Sequence, residues 1–287
     1  MLETLRNAFK VKDIRDRIIF TFLMLIVIRI GSQLPVPGVN GEVFRNWFAS
    51  QAAGLDFFNA ITGGSFLSMS VFALNITPYI TSSIIMQLLT IAIPALEEMQ
   101  KDGEEGKKKI AEISRYLTIA LAVIQSGATA IGFGSKLFEN YNFFSVLVVI
   151  LSMTAGSALV MWIGERITEH GIGNGISMVL LVNILSTIPT DFITLYKRFI
   201  EGKHIIIGIV SAVVIIAVLL ALVVYVIMLQ DAERRIPVQY AQKMQGRRQV
   251  GGQSSHIPLK VNTAGVIPVI FAGSLMSLPV IVGQIAK

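Results

Sequence analysis

The run Gly171-Ile172-Gly173-Asn174-Gly175 is the segment of this sequence closest to a phosphate cradle. A dinucleotide-binding loop, however, needs G-x-G-x-x-G after a strand and an acidic residue further on, so that bare backbone meets the pyrophosphate at a helix N-terminus. Here the spacing is wrong and no soluble strand precedes the run. A tight turn leading into an apolar segment is expected instead. There is no cysteine, which removes thiolate nucleophiles, thiolate metal ligands and disulfides together. H-E-x-x-H and G-x-S-x-G are also absent. No catalytic residue, metal site or cofactor is expected, and a membrane-embedded enzyme is a disfavoured class.

The sequence does offer polar groups within apolar stretches. Residues 72–94 carry Asn75, Thr77, Pro78, Thr81, Ser82, Ser83 and Gln87. Polar side chains are costly in lipid and usually face a bundle interior or water, so this segment is expected to border an aqueous path. Ile76 and Ile80 stand four apart on one side of it, and Ile176 and Leu180 repeat the spacing further on. By composition alone these are packing or lipid-facing aliphatics. Arg29 is the one clear basic residue inside a span. It reads either as part of an ion or proton path, or as a guanidinium near the outer end that snorkels or bonds loop carbonyls beside Pro35 and Pro37. No Asp or Glu lies in a span core, which argues against a carboxylate relay.

Residues 55–68, LDFFNAITGGSFLS, are apolar but too short to span, and Gly63-Gly64 interrupts them. Incomplete helix survives at membrane depth only where protein or a wet cavity encloses it. The segment is therefore either re-entrant or an interfacial helix on the outer surface. In the polar stretch 230–262, Ile236, Val238 and Tyr240 alternate like a strand. Residues 246–255 read as a turn-rich tip and 256–261 as a returning strand. Arg247 and Arg248 beside the tip suit phosphates, acidic side chains or anionic lipid, and also serve topology.

The elements that must position these groups are membrane helices. Of 287 residues 53% are hydrophobic and only 15% charged, too little charge to cover a soluble domain of this size. Seven stretches approach the roughly 20 apolar residues a span requires: 18–34, 72–94, 116–134, 144–163, 174–189, 205–229 and 264–285. Seventeen of the 24 Lys and Arg precede the first stretch or follow the second, fourth and sixth, and only six lie in the alternate loops or at the end. The positive-inside rule puts residues 1–17 in the cytoplasm and Lys287 outside. A cleavable leader is not expected, because the first apolar run lacks a small-residue cleavage site.

Six blocks, read in order, carry a resemblance. They are RIGSQLPVPGVN at 29–40, FALNITPYITSSIIMQLL at 72–89, GERITEHGIGNGIS at 164–177, and then RRIPVQYAQ, GRRQVGGQSSHIPLKVN and AGVIPVIFA. Together they resemble the SecY family of protein-conducting channels over the whole chain. The resemblance implies an all-α polytopic fold, an inverted-repeat bundle of two five-helix halves around an hourglass pore. Residues 18–189 would form the first half, with 55–68 as a plug that includes Phe57, Phe58, Gly63, Gly64 and Phe66. Residues 190–287 would supply the first two helices of the second half and the hairpin-like cytoplasmic loop 230–262. The family has ten spans, so the chain is expected to stop after the seventh.

Ile76, Ile80, Ile176, Leu180 and Ile270 match the family's pore ring. Thr81, Gln87 and Ile267 fall on spans two and seven, the two sides of the lateral gate. Arg234, Arg235, Arg247, Arg248 and Lys260 fall on the partner-docking loop. The implied function is conduction of unfolded polypeptides across the bacterial inner membrane and lateral release of signal or transmembrane segments into it. The implied partners are SecE-like and SecG-like small membrane subunits, a SecA-type motor ATPase or a translating ribosome, nascent polypeptides and membrane lipid. Two other classes stay open at this point. A secondary transporter fits the polar second span and the broken helix, and a non-conducting membrane scaffold fits the early end.

Overall fold

The computed structural model describes residues 10–41, 44–45, 61–134, 138, 141–201, 205–238, 243–245, 248–250, 255–263, 265, 268 and 272–273. Helix α1, Lys12–Gly31, buries Thr21, Leu25, Ile28 and Gly31, the i, i+4, i+7 stripe of a helix with one packed face. It stops just before Pro35 and Pro37, which cannot continue a helical ladder. The expected second span begins late. Residues 72–76 are not helical, Asn75 takes φ +50°, and helix α2 starts only at Thr77, as Thr77–Ala92. Pro78 sits in its first turn, where a missing N–H costs nothing. Ile93, extended at φ −112° and ψ 112° as a residue before proline should be, ends it. Helix α3, Pro94–Lys101, then leaves at 103°.

Helix α4, Glu104–Phe133, follows a glycine turn at Gly103, φ +77°. Helix α5 is Phe143–His170 and helix α6 is Gly175–Phe199. The latter runs ten residues past the expected end of the fifth span, with Pro189 inside it. Helix α7, Ile205–Asp231, is apolar all round and exposed along its described faces, as a lipid-facing helix must be.

Among the described residues, α5, α6 and the Gly208–Asp231 part of α7 are each long and apolar enough to span, and the bent α2–α3 pair makes a fourth. Two other expected spans correspond to α1 and α4. Charges at both ends of α1 leave residues 18–28 uncharged, while α4 carries the uncharged run 116–133. The expected seventh span lies almost entirely outside the described residues.

The chain up to Pro189 forms one compact unit and Thr190–Pro268 a second. In the first, Gly156 lets α5 lie against the Val71 carbonyl, and Gly31 leaves room for the Phe72 ring. Such small residues let membrane helices approach closely. Short polar links tie the bundle together. Ser82 Oγ donates to the Ser114 carbonyl at 2.7 Å, Ser126 Oγ lies 3.2 Å from Thr154 Oγ1, and Arg115 Nε donates to Glu165 at 2.8 Å.

In the second unit, strand β1, Glu233–Val238, pairs antiparallel with strand β4, Ser255–Lys260, in the register Ile236 opposite Ile257. Strands β2, Lys243–Gln245, and β3, Arg248–Val250, form a further antiparallel pair. The stretch expected to be all tip therefore contains a strand. The ribbon base is tied to the end of α7, where Asn262 Nδ2 donates to Gln230 Oε1 at 3.3 Å.

Candidate functional site

The glycine run is the turn that its composition implies. Gly171 ends α5, Gly173 takes φ +70°, and the Asn174 carboxamide oxygen accepts from the backbone N–H groups of Ile176 at 3.0 Å and Ser177 at 3.3 Å. Those donors are the orphans of a helix start, and Asn is a preferred cap for them. Thr168 Oγ1 accepts from Gly175 N at 2.9 Å. Thr21 Oγ1 on α1 accepts from Ile172 N at 3.1 Å, and Arg17 donates to the Gly171 carbonyl at 3.3 Å. The turn aims α6 back along α5.

That return brings the aliphatic pairs together. A Cβ placed on Gly164 would lie 3.6 Å from both Ile76 Cδ1 and Ile176 Cγ1, so the bare glycine of α5 is the floor on which the two isoleucines meet. Ile76 has no exposed surface and shares an apolar cluster with Phe72, Val160, Ile163 and Val179. Ile80, Ile176 and Leu180 are half-buried against the same cluster. Four of the five expected ring residues are thus neighbours, and Ile270 lies outside the described residues. Ile76 is not like the other three, being wholly enclosed. Ile184 stands four residues beyond Leu180 and is 47% exposed. An i, i+4 aliphatic spacing is equally that of ordinary packing.

The glycine-broken segment is enclosed by protein over its described part. Thr62, Gly63, Ser65, Phe66, Met69 and Ser70 are buried, which is the condition for irregular backbone at membrane depth. Gly63 and Gly64 take φ +67° and +82°, a region closed to most side chains. Phe66 packs edge-on against Phe44 with ring centroids 5.6 Å apart. Val36 N donates to the Met69 carbonyl and Val71 N to the Leu34 carbonyl, both at 2.9 Å, which fixes the segment to the loop after α1. Phe57 and Phe58 lie outside the described residues.

Of the expected gate residues, Thr81 is half-buried and donates to the Thr77 carbonyl at 3.1 Å, while Gln87 is exposed. Six residues apart on one helix, they face different ways. Ile267 is outside the described residues.

Arg29 lies in the last turn of α1 beside an apolar groove of about 660 Å³ lined by Phe22, Leu25, Ile26, Ile30, Leu34 and Val182. Its Nη1 is buried and donates to no acceptor among the described residues. Of the readings given for Arg29, a bond from this nitrogen to the carbonyls near Pro35 and Pro37 is not seen among the described residues. The loop after α1 uses its carbonyls on backbone donors instead.

The β1–β4 ribbon sorts its residues by face. Directly opposed residues share a face, and successive residues alternate. Arg234, Ile236, Val238, Ile257 and Leu259 lie on one face, and Glu233, Arg235, Pro237, His256, Pro258 and Lys260 on the other. All but Val238 are exposed. The expected docking cations are thus divided, with Arg235 and Lys260 on the prolyl face and Arg234 on the apolar one. Arg248 lies in β3 opposite Gln245, and Arg247 is outside the described residues.

On α4, the hydrogen bond that Arg115 donates to Glu165 raises the Arg115 pKa above its usual value, against a smaller opposing effect of burial. The guanidinium is charged at any working pH. Among the described residues no three acidic or histidine side chains cluster as a metal site would.

The family model for SecY matches residues 70–287. The chain belongs to the SecY family. Its similarity to curated SecY sequences extends over nearly its whole length. It is 44% identical over 294 residues to the protein translocase subunit SecY of Corynebacterium glutamicum, covering 98% of this chain and 65% of that protein. Against the subunit of Halalkalibacterium halodurans it is 46% identical over 285 residues, 97% of this chain and 66% of the relative. Against that of Bacillus subtilis it is 44% identical over 287 residues, with the same two shares. The chain therefore spans about two thirds of the length of these relatives.

The SecY-like fold is also found in solved structures. One reported as a protein conducting channel matches with a TM-score of 0.65 at 19% identity, over 94% of this chain and 58% of the other. Sec61 in a canine ribosome–channel complex from the endoplasmic reticulum matches with a TM-score of 0.64 at 18% identity, over 94% and 59%.

Proposed function

We propose that this chain serves in the central subunit of a protein-conducting channel of a bacterial inner membrane, passing unfolded polypeptides across it and releasing signal or transmembrane segments sideways. The observation that carries this reading is the shared apolar cluster of Ile76, Ile80, Ile176 and Leu180, with Ile76 and Ile176 meeting over Gly164, in a SecY-family chain. A collar of aliphatic side chains sheds water and bars ions, yet its rotamers yield to a passing chain. Such a device passes a substrate without binding it, which disfavours a solute transporter with a compact ligand site.

In this reading the Gly63–Gly64 segment is the plug that backs up the collar. Helix α2 with Thr81 and Gln87 forms one side of the lateral gate, and Ile267 belongs to the other. The excess of basic residues before α1 and in the 230–262 loop places both in the cytoplasm. The exposed ribbon is the docking site for the partner that supplies energy, a SecA-type motor or a translating ribosome. Arg234, Arg235, Arg247, Arg248 and Lys260 meet its phosphates or carboxylates. The Sec61 relative described within a ribosome–channel complex supports the ribosome as one such partner. SecE-like and SecG-like subunits complete the assembly.

The test is a photo-crosslinker at Leu180 in membranes carrying a secretory polypeptide stalled in transit. Crosslinks to the polypeptide that vanish when it is chased through are expected. Their absence at both Leu180 and Ile80, with a crosslinker at exposed Phe192 equally silent, would overturn the reading.

A further inference from the structure

Asn183 is an amide sealed in without a partner among the described residues. It lies on α6 with no exposed surface, and neither its carboxamide oxygen nor its nitrogen is hydrogen-bonded. The chain's own atoms close it off, so nothing outside can reach it. A buried amide left unpaired forfeits its hydration, a full desolvation penalty that most native polar groups avoid.

What closes it off is the glycine turn. A Cβ on Gly63 would stand 2.9 Å from both the Cα and the carbonyl oxygen of Asn183, and 3.0 Å from its Cβ. The bare Gly63 backbone therefore rests directly on Asn183. No strong bond holds it there. Ser186 Oγ, the link between α6 and the turn, lies 3.5 Å from the Gly63 carbonyl but 2.6 Å from the Asn183 carbonyl. A hydroxyl has one proton to donate, and the shorter contact takes it. On the turn's own side, Ser65 Oγ is also buried and unpaired. So is the carboxamide oxygen of Asn75, although its nitrogen donates to the Thr62 carbonyl at 3.4 Å. The seat is held by close packing and opposed by three polar groups that would each gain water if the turn lifted.

We propose that Asn183 is the positioning residue that keeps the Gly63–Gly64 turn ready to leave, because its amide is dry only while the turn is seated. The proposal rests on reading that turn as the movable seal of a channel. An apolar residue at 183 would hold the turn down, and a more polar one would lift it. Population follows the difference in free energy between the seated and lifted states.

The chain has no cysteine, so a single Ser65→Cys substitution reports cleanly on the seat. Ser65 is 1% exposed, and its labelling by a small charged thiol reagent in membrane vesicles tracks how often the turn opens. Asn183→Leu keeps the branching and removes the polar atoms. It is expected to slow labelling by roughly five- to 100-fold, the equilibrium equivalent of one unpaired buried polar group. Asn183→Asp is expected to speed labelling, and Gly63→Ala to speed it as well by displacing the turn. A purely steric role would move leucine and aspartate in the same direction. That result, or leucine at the parental rate, overturns the proposal. Leu180 crosslinking in the same vesicles separates the two claims. Crosslinks without the ordered labelling sink the role of Asn183 alone, whereas ordered labelling without crosslinks leaves a latch in a protein that is not a channel.

Discussion

Gly175 packs on Gly164 so closely that any Cβ at 175 would overlap the Gly164 carbonyl oxygen and stand 2.8 Å from Ile167 Cβ. This contact sets how near α6 runs to α5, and with it where Ile176 meets Ile76. A Cβ on Gly164, by contrast, would meet Ile176 and Ile76 at an ordinary 3.6 Å. Two glycines of one sequence block thus have different tolerances. Gly175→Ala is expected to cost about 1–3 kcal/mol, the usual range for overpacking, and to lower the unfolding temperature in detergent. Gly164→Ala should stay close to the parent. Equal loss in both variants would mean that the helix approach is not set at Gly175.

The proposed pore-ring residues are expected to separate by burial. Ile80→Ser together with Ile176→Ser should raise resting ion current in planar bilayers, since hydroxyls keep a constriction wet. Ile76→Ser should chiefly destabilise, by roughly 2–5 kcal/mol as for other truncations of enclosed aliphatics. Parental currents from the double variant, also after deletion of residues 57–68, would return these side chains to simple packing.

Charge on the ribbon is expected to act by face. Arg235→Glu with Lys260→Glu alters the prolyl face, whereas Arg234→Glu alters the apolar one. If a partner docks through phosphates or carboxylates, the first pair should weaken binding more than the second change. The loss should shrink at high salt, where exposed charges are screened. Reversal of Arg247 and Arg248 should behave like the first pair. Affinity unchanged at low salt in all three would leave the basic loop with a topological role only.

A cysteine introduced at Gln249, in β3, should react with an impermeant thiol reagent only from the cytoplasmic side, because six basic residues anchor its loop there. Labelling from outside intact cells would overturn the span order.

Much of this was legible in the chain itself. Membrane class, the turn at 171–175 and the returning strands of the 230–262 loop follow from hydrophobic runs, capping residues and alternation. All of these are local signals, set within a few residues by backbone geometry and transfer from water. The family resemblance likewise rests on blocks read in order.

What tertiary structure decided lies where distant residues meet. No local pattern says that Ile76 is wholly enclosed while Ile80 is not, because that depends on α6 returning along α5. Nor does any pattern put Gly63 on Asn183, 120 positions away in the chain, or divide Arg234 from Arg235 onto opposite faces of a ribbon. The second span began late because Asn75 and Pro78 together close off a helix that hydropathy alone would have extended to Phe72. Hydropathy records how much a residue gains by leaving water. Only packing determines which other atoms it meets when it does.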